Sequence, residues 1–128
     1  MNKTLSAELN LFMKRYEDAT NSHDFAQVAE LIAEDAVYWF TDSNCEGTAE
    51  IQAYFDKGWA TVLEEVYSIR GVRWLAQSES VSTCTYEFHW QGLIDGVLQA
   101  GSGRGTNVLT KRDGRWQIVH EHLSVVRD

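Results

Sequence analysis

Proline is absent from the 128 residues, cysteine occurs only twice, and 11 Lys plus Arg face 19 Asp plus Glu. Without proline no segment is rigidly punctuated, so element boundaries have to be read from Gly, Asn and Asp. Cys45 and Cys84 stand alone without CxxC spacing, which argues against a disulfide framework or a structural zinc site. A formal net charge of −8 with no clustered Lys/Arg stripe leaves no phosphate-tracking face, so nucleic acid is not an expected partner. No apolar run approaches the roughly 20 residues of a membrane span. The opening MNKTLSAEL lacks the apolar stretch of a signal peptide, and the expectation is a cytoplasmic chain without a membrane partner.

What remains is ordinary globular composition, 44% hydrophobic and 23% charged, in a length that fits one domain over residues 1–128. Leu5, Leu9, Phe12, Tyr16 and Ala19 recur at steps of four and three, the spacing of one buried helix face. Asp24 then offers an N-cap for a second helix carrying Phe25, Val28, Ala29 and Ile32 and ending near Asp35. Ala36 to Phe40 is short and rich in strand formers. A third helix is expected after Gly47, capped by Thr48, with Ile51, Tyr54, Phe55, Trp59 and Val62 as its apolar stripe.

From Val66 the period changes to two. Val66 to Trp74, Val81 to Leu93, Val97 to Lys111 and Trp116 to Val126 read as strands. Asp95-Gly96 and Asp113-Gly114 mark tight hairpins, since both central positions of a type I′ turn need positive φ. Helices first and strands after indicate an α+β fold with the helices packed on one face of an antiparallel sheet.

The order of helix, Asn-x-x-Asp-Phe, helix, Glu-Asp-Ala, aromatic strand, Glu-Gly, helix, and hairpins closing in Gly-Arg-Trp-Gln-Ile-Val-His-Glu-His-Leu-Ser resembles the nuclear transport factor 2-like superfamily over nearly the whole chain. Within it the sequence is most similar to SnoaL-like proteins and to the association (hub) domain of calcium/calmodulin-dependent protein kinase II. The resemblance implies a cone-shaped curved sheet wrapped around the N-terminal helices, a pocket between them, and a homodimer through the outer face of the sheet. It does not assign a reaction, because this scaffold hosts many.

Alternation sorts the late strands into two sets, and by similarity to the hub domain the odd-numbered one, Glu87, His89, Asn107, Glu121 and Leu123, faces the pocket. The even set would then leave Tyr86, Phe88, Trp90, Trp116 and Ile118 as an outer aromatic face to be covered by a partner. The hub's pocket arginines are missing here, whereas Trp59 matches its pocket tryptophan. Tyr16 sits where related ketosteroid isomerases carry an oxyanion-binding tyrosine, but Phe40 replaces their basic aspartate. The candidate catalytic residues are therefore His89 with Glu87 or Glu121 for proton transfer, and Tyr16 or Asn107 for a developing oxyanion. Trp39, Tyr54, Trp59, Asn107 and Leu123 are the expected ligand contacts.

His120 and His122 project from one strand face but away from the pocket, and read as structural or interface histidines rather than a metal pair. The run from Gly101 to Gly105 lacks a phosphate loop's Gly-Lys-Ser/Thr ending and reads as a bend or bulge. Asp18, Asp35, Glu64 and Glu65 read as solvated helix termini. The functional expectation is a protein that encloses an apolar or aromatic small molecule, either as a cofactor-free isomerase, cyclase or dehydratase or simply as a binder. The alternative is a non-catalytic assembly module like the kinase hub.

Overall fold

In the computed structural model, which describes residues 3–125, helix α1 (Lys3–Asn21) buries Leu5, Leu9, Phe12, Met13, Tyr16 and Ala19. All but Met13 are the positions that the four-and-three spacing selects. Asp24 caps the five-residue helix α2 (Phe25–Ala29), its carboxylate accepting from Ala26 N at 3.1 Å. The sequence carries α2 on toward Asp35, but the chain leaves the helix at Glu30. Ile32 opens strand β1 (Ile32–Trp39), and Leu31 O accepts from Ile118 N at 2.9 Å. Pairing with the last strand outcompetes a further helical turn there, a tertiary gain that local propensity does not register.

A tight turn leads to β2 (Asn44–Glu46), which the sequence reading did not anticipate, and then to α3 (Gly47–Thr61). Thr48 lies inside α3 rather than capping it. The cap position is Glu46, and Glu50 reaches back to accept from Glu46 N at 2.8 Å. Four long strands follow: β3 (Leu63–Gln77), β4 (Val81–Ile94), β5 (Val97–Arg112) and β6 (Arg115–Val125). The expected reach of the last strand to Val126 lies outside the described residues. Asp95 and Gly96, and Asp113 and Gly114, all have positive φ, as the two hairpin signals require.

The strands form one curved, unclosed sheet in the order β2-β1-β6-β5-β4-β3. All neighbours are antiparallel except β1 and β6, which run parallel and bring the first strand beside the last. α1 lies across the concave side and also protects the edge strand β3. Asn21 exchanges two hydrogen bonds with the Tyr67 backbone, at 2.7 and 2.8 Å, and Glu17 Oε2 accepts from Ile69 N at 2.7 Å. Side chains from the helix thus satisfy backbone groups that an open edge would leave free.

The glycines of β5 have a role other than the expected bend. Gly101, Gly103 and Gly105 pair directly with Trp90, Phe88 and Tyr86 of β4. A methyl carbon on Gly101, Gly103 or Gly105 would stand 2.5, 2.5 or 2.4 Å from the ring of its partner, closer than such contacts allow. Each bare backbone therefore accommodates one aromatic ring laid across it, and the three rings cover the concave face of the sheet. Replacing Gly105 with Ala is expected to cost about 1–3 kcal/mol by overpacking against Tyr86. Gly58→Ala in α3, where an added methyl meets nothing within 4 Å, is expected to stabilise by about 0.5–1 kcal/mol. Urea unfolding of the two variants checks both signs.

Candidate functional site

The Asp95-Gly96 turn sets Ile94 opposite Val97, so even-numbered residues of β4 stand beside odd-numbered residues of β5. The concave face of β4 is consequently Cys84, Tyr86, Phe88 and Trp90, and that of β5 continues from the glycines to Asn107 and Leu109. The second hairpin starts with the same odd-to-even relation, Leu109 opposite Ile118. Val119 then bulges, and beyond it Asn107 faces Glu121 and Gly105 faces Leu123. The extra residue moves β6 onto odd parity and turns Glu121 and Leu123 toward the helices.

Between this face and the helices lies a cavity of about 470 Å³. Tyr16 and Thr20 of α1 and Tyr54, Phe55 and Trp59 of α3 form the helical side. Tyr67, Phe88 and Trp90 form the sheet side, and Phe40 to Asp42 of the turn after β1 close one end. Phe40 stacks on Tyr54 with ring centroids 3.8 Å apart, and Trp59 packs edge-on against Phe55 at 5.6 Å. The walls are rigid aromatic surface with few polar groups, the usual make-up of a small-molecule site.

Glu121 is the exception. It is 1% exposed, and its carboxylate contacts hydroxyls and an amide rather than a base. Tyr86 Oη donates to Glu121 Oε1 at 3.1 Å. The Asn107 amide nitrogen, also fully buried, has three acceptors for its two hydrogens, Thr106 O at 3.0 Å, Tyr86 Oη at 2.9 Å and Glu121 Oε1 at 3.3 Å, so one hydrogen is shared. The opposite amide orientation would set its carbonyl against acceptors. Tyr16 and Tyr38 share a hydrogen bond of 3.0 Å beside this cluster. Burial pushes the Glu121 carboxyl up to about 7, against the opposing effect of hydrogen bonds from Tyr16, Tyr86 and Asn107. Burial and the nearby Glu121 charge hold the Tyr16, Tyr38 and Tyr86 phenols well above their ordinary value, so they remain donors at neutral pH.

The sequence-derived candidates divide cleanly. Tyr16, Tyr54, Trp59, Glu121 and Leu123 line the cavity, and Asn107 stands behind Glu121. Glu87 and His89 do not belong to this group. They lie on the outer face of β4, 67% and 31% exposed, with a carboxylate oxygen 3.8 Å from His89 Nε2. Their expected place in the pocket assumes one parity for every strand, which a two-residue turn does not preserve. The same correction applies to Tyr86, Phe88, Trp116 and Ile118, which are buried inside, and to Trp90, which lines the cavity. The outer aromatic face expected from these five residues is therefore not formed by them. Trp39, expected as a ligand contact, is 46% exposed and packs edge-on against His120 and His122 at 5.0 and 5.7 Å. His120 Nδ1 donates to Val37 O at 2.6 Å.

Two acids were missed. The sequence alone presents Glu65 as a solvated helix end, but β3 begins at Leu63, and alternation from Tyr67 puts Glu65 on the cavity wall, half-buried. Asp42 sits exposed at the rim, accepting from Tyr54 Oη at 2.8 Å.

A family model described as a SnoaL-like domain matches residues 9–128. Among solved structures, a nuclear transport factor 2-like superfamily protein from Salmonella enterica is similar with a TM-score of 0.88 at 16% identity, over 98% of this chain and 93% of that one. The CaMKII association domain of C. elegans gives 0.78 at 20% identity, over 97% and 100%. A Novosphingobium aromaticivorans protein provisionally named a scytalone dehydratase gives 0.82 at 13% identity, over 93% and 82%. At such identities the likeness is one of fold. None of the curated proteins matches the sequence.

Glu121 makes stability depend on pH in a defined direction. Its folded value, about 7, lies above the ordinary 4.5, so the folded state holds a proton that the unfolded chain has released between those limits. The stabilisation is fully present below about pH 4.5, is lost as pH rises through 7, and totals on the order of 3 kcal/mol. Comparing unfolding free energies of wild type and Glu121→Gln from pH 4.5 to 8.5 should show this fall in the difference between them, levelling above pH 8.

Proposed function

Since the chain belongs to the SnoaL-like domain family, we propose that it uses the central cavity of this scaffold to enclose an apolar or aromatic small molecule and exchanges a proton with it through Glu121. The observation that carries this reading is a carboxyl 1% exposed on the wall of an aromatic cavity, where burial pushes its pKa up to about 7. A group with that value is available both as carboxylate to take a proton and as acid to return it. The Tyr16 phenol, held protonated, is the donor suited to an oxygen on which charge develops, and Asn107 and Tyr86 hold Glu121 in place. In an isomerisation, Glu121 removes a proton from carbon beside a carbonyl and delivers it to another carbon. In a dehydration, it delivers the proton to the departing hydroxyl. Both steps close without a cofactor, and the fold of a protein provisionally named a scytalone dehydratase is compatible with the second.

Non-catalytic assembly remains the alternative. It is supported by likeness to the association-domain fold, while the outer sheet face offers polar residues such as Thr85, Glu87 and Ser102 rather than an aromatic surface. Light scattering distinguishes a higher ring from a dimer or a monomer.

Proton transfer can be assayed before a substrate is known. 2-Tetralone, an apolar aromatic ketone, should exchange its α-hydrogens in D₂O faster with the protein than with buffer, as read by NMR. Glu121→Gln should lower that rate by about 100-fold or more, Tyr16→Phe by about tenfold, and His89→Ala should leave it unchanged. Aromatic ligands should also raise Tm by mass action. Loss of exchange in His89→Ala, with Glu121→Gln unaffected, would move the chemistry to the outer face.

A further inference from the structure

The cavity is acidic as well as aromatic. Three of its lining residues are carboxylic acids, arranged from rim to interior: Asp42 exposed at the turn after β1, Glu65 half-buried on β3, and Glu121 fully buried on β6. No Lys, Arg or His is among the residues that line it. His23 stacks on Trp59 at 5.6 Å and donates from Nε2 to the Glu65 backbone carbonyl at 3.0 Å, and its charge, when present, offsets in part the effect of burial on the Glu65 carboxyl. The Glu65 carboxylate has no hydrogen-bond partner among the described residues, and burial raises its pKa. Aromatic faces surround these acids, including Trp59, Trp90, Tyr67 and the stacked Phe40 and Tyr54.

An apolar guest gains from the aromatic walls but nothing from the acids. It would displace water from the carboxylates and leave their charge uncompensated, at a cost that rises with burial. A neutral carbonyl compound faces the same problem at Glu65 and Asp42. An organic cation reverses both terms. Its charge compensates the acids, and its ammonium hydrogens or methyls lie against the negative faces of the indole and phenol rings. The net charge of −8 draws such a molecule toward the protein and repels anions.

We propose that the compound taken up by the cavity is a small organic cation, an apolar or aromatic body bearing a protonated or quaternary amine, with the ammonium toward Glu65 and Asp42 and the body reaching inward to Glu121. The inference rests on the reading of the cavity as a binding site and adds the charge of its ligand. Binding is then linked to protonation at Glu121. The groups that face Glu121 are Tyr16 from α1, Tyr38 from β1, Tyr54 from α3, Tyr67 from β3, and Tyr86 and Cys84 from β4, none of them cationic. As pH rises through the Glu121 transition, the cavity gains a negative charge and its preference for a cation grows.

Three soluble probes of one size test this on the full-length protein: phenethylamine, which stays protonated below about pH 9, the neutral 2-phenylethanol, and the anion 3-phenylpropionate. Affinities come from quenching or enhancement of tryptophan fluorescence, with Tm shifts alongside. The amine should bind about tenfold or more tightly than the alcohol at pH 8, the acid should not bind, and the amine's advantage should shrink at pH 5.5. Glu65→Gln should abolish most of that advantage, weakening the amine and, by removing a charge that a neutral guest leaves uncompensated, tightening the alcohol. Asp42→Asn, on an exposed turn, should lower it by a smaller factor and guards against a folding defect in the first variant. Equal or tighter binding of the alcohol overturns the cation inference and leaves the cavity as a site for neutral compounds. Failure of all three at about 10 mM, where a weak fragment still registers, overturns the binding reading as well.

Discussion

Ile118 and Glu121 both point toward the helices although they are three positions apart, a spacing that a regular strand would send to opposite faces. The bulge at Val119 reconciles them, and the rest of the site depends on that one inserted residue. Before it, β6 contributes Trp116 and Ile118 to an apolar core shared with Leu109 and α1. After it, the same strand contributes Glu121 and Leu123 to the cavity wall. Without the bulge, His120 and His122 would face inward in their place. The core end and the cavity end of the cone are thus separated by a register change rather than by a change of element.

Having placed a carboxylate inside, the fold does not neutralise it with a base. Tyrosine hydroxyls and an asparagine amide satisfy its oxygens, which keeps the group hydrogen-bonded in either protonation state. Hydrogen bonds to the ionised form pull its pKa down and burial pulls it up, and burial dominates. A buried salt bridge would have fixed the charge, whereas this surrounding leaves it adjustable. The glycine-aromatic pairing on β4 and β5 supports the same end. By laying rings flat against bare backbone, it keeps the concave face aromatic and leaves room above it.

Much of the architecture was legible from local chemistry. The helical spacing of α1, the Asp24 cap and both Asp-Gly turns are decided by residues close in sequence, and each stands where local rules put it. The order of those signals was enough to suggest a nuclear transport factor 2-like, SnoaL-like chain, and the family match and similar structures agree. The short β2 and the early start of β1 escaped notice because both are stabilised by partners far along the chain. Two of the three residues expected to transfer protons lie outside the cavity for a related reason. Tyr16, Asn107 and Glu121 lie at or behind the cavity, but Glu87 and His89 were assigned by extending one parity across a turn that reverses it.

By itself, then, the sequence determined most of the elements, the hairpins and the family, because propensity, capping and turn geometry act within a few residues. It also determined that the protein would be acidic and rich in aromatics. Only the tertiary structure decided which acids meet the aromatics. That depends on strand register, which two-residue turns and a single bulge set, and a shift of one residue exchanges every side chain between the wet face and the enclosed one.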